Sequence, residues 1–273
     1  VGTIRQLLGE LVSAEPSTRD HAQIALARWS RAELAVVERA LATAACADTH
    51  VMREAAAMGV AIAMEACSCF ERTRLMSEWT MSANRWHRLA IARALCDPVY
   101  TLGASAAVER LSVDPYRAVR SAAVAAAASR LVQQPREYCR IIQARAADSS
   151  RWVRQQAISA LQAAAELGSI EAVDVLGECA VADDPDTATH AVDALAAVVN
   201  RDPTRIMLAL ARVTDHAEER DPRVLDRLIE DIRQVASYAP EAASRVLHRL
   251  EHHKEWWLRD QARLAALRAD ELS

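Results

Sequence analysis

Turn formers, large aromatics and lysine are all scarce in this chain. Its 273 residues include six Gly, eight Pro, one Phe and a single lysine, Lys254, and aromatics make up 4%. So few Gly and Pro exclude an all-β chain with many tight turns. Val, Ile and the aromatics never gather into the alternating runs of half-buried strands. No unbroken run of about 18 apolar residues occurs, so no membrane span is expected. No signal-peptide pattern is visible at the start, and a first residue of Val is expected of a piece cut from a longer protein. There is no Gly-x-Ser-x-Gly, no Gly-rich phosphate loop and no His-Glu-x-x-His, and the expectation is a chain without catalysis of its own. Cys46, Cys67, Cys69, Cys96, Cys139 and Cys179 lack the spacing of a disulfide scaffold, which predicts reduced thiols and a cytoplasmic setting. Cys67-Ser68-Cys69, with Cys46 and His50 nearby, is the nearest approach to a metal site. Two residues two apart near a helix end point in different directions, so no metal or cofactor is expected.

What the chain has in quantity is alanine and arginine. Hydrophobic residues reach 52% with few aromatics, so alanine, the best helix former, does much of the apolar work. The composition predicts an all-α fold. Within it one pattern recurs. Asp148-Ser-Ser-Arg151-Trp152-Val153-Arg154-Gln-Gln-Ala157 repeats Asp114-Pro-Tyr-Arg117-Ala-Val119-Arg120-Ser-Ala-Ala123. Anchored on Ala157, the register runs Ala22, Ala56, Ala90, Ala123, Ala157 and Ala191, in steps of 34, 34, 33, 34 and 34 residues. Ile229 and Ala262 continue it, the first after a step of 38, with the four extra residues assigned to the polar loop Thr214 to Arg220. A basic residue stands three before the anchor in six of eight units: Arg19, Arg53, His87, Arg120, Arg154 and Arg259. A period held this tightly is the signature of a solenoid.

A second helical segment fills each interval, for example Arg31–Ala45, Arg136–Ala147, Ser169–Ala180, Thr204–Val213 and Pro240–Leu250. Seven prolines (16, 115, 135, 185, 203, 222 and 240) fall near expected helix starts, where a missing N–H costs little, and Pro98 falls between units. Asp114, Asp148 and Asp202 are read as caps, and Gly168 as a helix stop. Each unit is thus helix A, a turn, then helix B.

A helix pair whose second helix carries Asp-x-x-x-x-Val-Arg-x-x-Ala resembles the HEAT family, close to the short bacterial HEAT-like repeats. The likeness covers nearly the whole chain and is sharpest at Asp114–Ala123 and Asp148–Ala157. The frequent proline within helix A of that family is missing here. A tetratricopeptide array has a similar period, but its helix-A Trp, Leu-Gly, Tyr pattern is echoed only by Leu176-Gly177. The resemblance implies a right-handed α-solenoid of about eight HEAT-like helix pairs over residues 1–273. It implies an Asp–Arg ladder between repeats, mapping onto Asp114, Arg120, Asp148 and Arg154. It also implies a protein partner bound along the concave surface of the B helices, in the manner of a sensor or scaffold.

Charge is distributed unevenly along the array. Residues 85–154 hold 12 Arg and 5 acids, whereas residues 155–236 hold 7 Arg and 16 acids. Arg85, Trp86, Arg88, Arg117, Arg120, Arg151, Trp152 and Arg154 are therefore the candidate partner- or anion-binding residues. Arginines interleaved with aromatics also suit phosphate contact and base stacking, so nucleic acid is the alternative partner. An alkyl-DNA-glycosylase-like enzyme with Trp86, Trp152 and Asp148, or a bilin lyase, shares only the architecture. Against all of these stands a structural role, with the arginines spent on aspartates and the tryptophans packed between repeats. The tryptophan pair after His252-His253 and Lys254, Trp256-Trp257, is expected in the turn before the last B helix, sealing the terminal repeat.

Overall fold

The computed structural model describes residues 2–97, 103–215 and 217–270. Among them are sixteen α-helices and no strand. They group into two compact units, Val1–Arg130 and Leu131–Ser273. The division falls between the fourth and fifth helix pairs.

The first unit holds α1 (Gly2–Leu11), α2 (Pro16–Ala32), α3 (Leu34–Ala45), α4 (His50–Ala66), α5 (Cys69–Thr80), α6 (Arg85–Ala94), α7 (Ala104–Ser112) and α8 (Arg117–Ala128). The second holds α9 (Pro135–Ala146), α10 (Arg151–Glu166), α11 (Ile170–Ala180), α12 (Pro185–Ala197), α13 (Pro203–Val213), α14 (Pro222–Val235), α15 (Pro240–Leu250) and α16 (Trp256–Asp270). Odd-numbered helices are the A helices and even-numbered ones the B helices. Each B helix packs on the next B helix of its unit: α2 on α4, α4 on α6 and α6 on α8 in the first, then α10 on α12, α12 on α14 and α14 on α16 in the second. No helix among the described residues is long and apolar enough to cross a membrane.

All eight anchors are buried, none more than 3% exposed. Small side chains there let neighbouring B helices approach closely. On the side facing the A helices, Gly59 of α4 serves a similar end, since a Cβ at that position would collide with Leu41 of α3 and Leu8 of α1. Ala157 is fully buried on α10, which packs on α9, α11 and α12. Ala157→Leu is expected to cost about 1–3 kcal/mol by overpacking. A urea titration followed by circular dichroism checks it, and an unchanged midpoint would count against tight packing at the anchor.

The local signals act largely where the sequence puts them. Pro16, Pro135, Pro185, Pro203, Pro222 and Pro240 each open a helix. Pro115 lies in the turn before α8, and Pro98 lies outside the described residues. Gly168 follows α10 with φ +90°, a left-handed conformation that glycine adopts without a Cβ clash. The Ser169 N–H then closes onto the Ala164 carbonyl at 3.0 Å, satisfying the helix end. The turn between α13 and α14 runs from Thr214 to Asp221, with residue 216 outside the described set, and it absorbs the four extra residues.

Three expectations need correction. Asp114 and Asp148 are not N-caps. The cap positions are Tyr116 and Ser150. Each aspartate instead accepts the N–H two residues on, Tyr116 and Ser150, both at 2.8 Å, as an Asx turn that shapes the approach to the helix. Asp202 is an N-cap, accepting from the Arg205 N–H at 3.0 Å. The A helix assigned to Arg31–Ala45 starts at Leu34, because α2 continues to Ala32 and only Glu33 separates the two. Trp256 and Trp257 open α16 rather than lying in the turn. Trp256 is 65% exposed, so it does not seal the last repeat. Buried His253, bonded to the Ala217 carbonyl at 3.1 Å, ties that turn to the preceding one.

Candidate binding surface

The recurrent arginine has one shared task. Its Nη1 reaches back to the carbonyls five and six residues earlier, across the turn that leads into its own helix. Arg19 bonds Ser13 and Ala14, Arg53 bonds Ala47 and Asp48, and Arg120 bonds Asp114 and Pro115. Arg154 bonds the Asp148 carbonyl and Arg259 that of His253. In the third repeat the residue that does this is Arg88, on Ser82 and Ala83, and not His87. The working arginines are therefore spaced 34, 35, 32 and 34 residues from Arg19 to Arg154. Ile91, fully buried, takes the anchor place beside Ala90.

This shift brings three segments into true correspondence: Arg85-Trp86-His87-Arg88, Arg117-Ala118-Val119-Arg120 and Arg151-Trp152-Val153-Arg154. Each opens a B helix, with Arg85, Arg117 or Arg151 as its first residue. All three of these arginines are exposed. The second arginine of each segment is partly buried and holds the turn.

In the first unit the candidates form a column across three repeats. The guanidiniums of Arg53 and Arg85 lie over the Trp86 ring, 4.5 and 4.7 Å from its centre. Arg85 also lies 5.0 Å from the Tyr116 ring and Arg88 5.7 Å. Cations at these distances are held by the negative ring faces. Arg88 is anchored below by Asp114, with Nε to Oδ2 at 2.5 Å and Nη2 to Oδ1 at 3.3 Å. Arg53 and Tyr116 belong to this column and were not legible as site residues, because their place depends on which helices stack.

In the second unit the arginines meet acids of the next repeat. Arg151 lies 3.5 Å from Asp186, and Arg154 lies 3.3 Å from Asp184. Asp184 caps α12 through the Thr187 N–H, and its bond to the Thr187 hydroxyl, ahead of the two arginines, holds its carboxyl below the ordinary range. Trp152 stays 59% exposed. Asp148 is buried, with its oxygens on Arg145 and the Ser150 N–H, so it offers no carboxylate to a substrate.

An Asp–Arg ladder between neighbouring repeats, as the resemblance implies, is present within each unit. Its rungs join an arginine to the aspartate of the following repeat, as in Arg88–Asp114 and Arg154–Asp184. Additional rungs join neighbouring A helices: Arg74–Glu38 at 3.0 Å in the first unit, and Arg205–Asp174 at 3.0 Å and Arg212–Glu178 at 2.9 Å in the second. Of the proposed thiol cluster, Cys67 is buried and Cys69 exposed, and no group of three His, Cys, Asp or Glu that could hold a metal occurs among the described residues.

No protein-family model and no curated protein matches this sequence. Solved structures do match. A Kap121p mutant is 17% identical, with a TM-score of 0.62 over 98% of this chain and 33% of its own. Kap95 in complex with Nup1 is 15% identical, with a TM-score of 0.57 over 97% and 38%. Importin beta is 16% identical, with a TM-score of 0.54 over 98% and 43%. The fold is a HEAT-like helical repeat. At this identity the likeness concerns fold alone, and the chain spans less than half the length of each of these proteins. HEAT-like stacking accounts for what the sequence shows: a unit that cannot close its own core buries its small anchor residues against the next.

Proposed function

We propose that this chain is a non-catalytic binding module that recognises a protein partner through the concave surface of its B helices, in a cytoplasmic setting. The observation that carries the reading is the column Arg53–Trp86–Arg85–Tyr116–Arg88, continued by exposed Arg117 on α8. Arg53 and Arg88 spend N–H groups on turn carbonyls and Asp114 and so hold the rings in place, while exposed Arg85 and Arg117 present guanidiniums suited to the carboxylates of an acidic protein segment. Arg and aromatic side chains are also the residues most often found at energetic centres of interfaces. The fold supports the reading in a general way: Kap95 is solved with Nup1 and Kap121p with RanGTP. Nucleic acid is favoured less, since two guanidiniums already lie over the Trp86 ring that a base would need.

The test is a pull-down with wild type and the Arg85→Glu/Arg117→Glu variant, beside a titration with duplex DNA across salt concentrations. A partner held by wild type is expected to be lost from the double variant, weakened at least ~10-fold. Identical partners in both would overturn the site. DNA affinity that falls steeply with salt, and falls further in the variant, would replace the protein reading with a nucleic-acid one.

A further inference from the structure

The first unit contains a polar cluster that the binding surface does not use. A cleft of about 900 Å³ lies over the turn between α3 and α4 and the start of α6, lined among others by Arg5, Cys46, Asp48, Asn84 and His87. Its volume is in the range of small-molecule sites. Cys46 is exposed in this cleft. Its Sγ lies 3.7 Å from His87 Nε2 and accepts a hydrogen bond from Asn84 Nδ2 at 2.9 Å.

Both neighbours are themselves held. Asn84 is fixed by its amide oxygen, which caps α6 by accepting the Trp86 N–H at 2.9 Å. His87 stacks on buried Trp79, with ring centres 4.8 Å apart, and its Nδ1 lies 3.2 Å from the Ser82 hydroxyl. Burial holds the imidazole below its ordinary range, against the opposing pull of the Ala42 carbonyl and Glu38, so the ring is neutral near pH 7. The other ring nitrogen, Nε2, faces the sulfur. An exposed sulfur bonded by an amide N–H, with a ring nitrogen beside it and a cleft in front of it, is placed to act as a nucleophile.

We propose that this cleft is a thiolation site, in which Cys46 attacks a low-molecular-weight disulfide of peptide size bearing carboxylate and ammonium groups. Arg5 and Asp48 on the cleft wall supply the opposite charges for such a compound. In the step, the Cys46 sulfur bonds one half of the disulfide while the compound's own S–S bond breaks. The other half leaves as a thiolate and takes up the proton that Cys46 gave up. Cys46 is oxidised and the departing half reduced. No second cysteine lines the cleft, so nothing there resolves the product, and the mixed disulfide is the end state.

Glutathione disulfide is the probe, with adducts mapped over time by mass spectrometry. Cys69, the other exposed cysteine, is the internal control. Cys46 is expected to react at least ~10-fold faster than Cys69 in the folded protein, and at the same rate in urea. Asn84→Asp keeps the helix-capping oxygen but turns the amide donor into an acceptor, and His87→Gln removes the imidazole. Each is expected to bring Cys46 down towards the Cys69 rate. Equal rates at the two cysteines in folded wild type would overturn the proposal, as would a Cys46 rate indifferent to Asn84→Asp. Should His87→Gln lose helical signal, Asn84→Asp alone decides.

Discussion

Asp114→Ala is expected to destabilise the first unit by about 3–5 kcal/mol, the cost of stranding one partner of a buried ion pair. The side chains of Arg88 and Asp114 are 12% and 4% exposed. The aspartate accepts from Arg88 Nε and Nη2 and from the Tyr116 N–H, so its loss takes these acceptors from half of the guanidinium and from a turn amide. It also releases the lower end of the Arg–Trp–Arg–Tyr column. Asp114→Asn keeps an oxygen for the turn and removes the charge, and it is expected to cost about 1–3 kcal/mol. Urea unfolding of the three proteins gives the comparison. Equal stability of Asp114→Ala and wild type would show that Arg88 is held by its turn carbonyls alone.

Asp231→Asn is expected to stabilise the protein above neutral pH and to do little near pH 5. Asp231, on α14, is 3% exposed. Burial, then the charge of Asp193 on α12, pushes its carboxyl up to about 7, against the attraction of Arg227. A folded pKa above the ordinary 3.8 means that the folded state holds a proton the unfolded state has released. Stability from this group is therefore greatest at acid pH and is lost as pH rises from about 4 through about 7. Arg227 spans the cluster, 2.5 Å from Asp193, 2.9 Å from Glu230 and 3.4 Å from Asp231, and removing one of three acids leaves it two. The expected gain at pH 8 is on the order of 1–3 kcal/mol, read from thermal or urea unfolding at several pH values. A gain that is the same at pH 5 and pH 8 would locate the effect in packing instead of ionisation.

Much of the fold was legible because one physical demand repeats. Two B helices approach closely over small residues, so alanine returns at seven of the eight anchors and the period shows in the letters. Helix starts were legible for a similar reason, since proline tolerates the first helical position and few others. The third repeat shows where this ends. His87 and Arg88 are adjacent and both basic, and only the path of the turn decides which one reaches the carbonyls of Ser82 and Ala83. The Asp114 and Asp148 side chains failed as caps for the same kind of reason: the chain bends two residues later than a cap would require.

The candidate surface divides along the same line. The sequence by itself determined an all-α array of eight helix pairs, the residues at its anchors, and a concentration of arginine in the middle repeats, because composition and period are properties of the chain alone. Only the tertiary structure decided which charges remain for a partner. Arg154 and Arg151 face Asp184 and Asp186 of the next repeat, while Arg85 and Arg117 stay exposed on the first unit. It alone placed Cys46 beside a histidine 41 residues away and buried Asp231 against Asp193. Pairing, burial and the direction of a side chain depend on which surfaces meet when repeats stack, and no local pattern of letters carries that information.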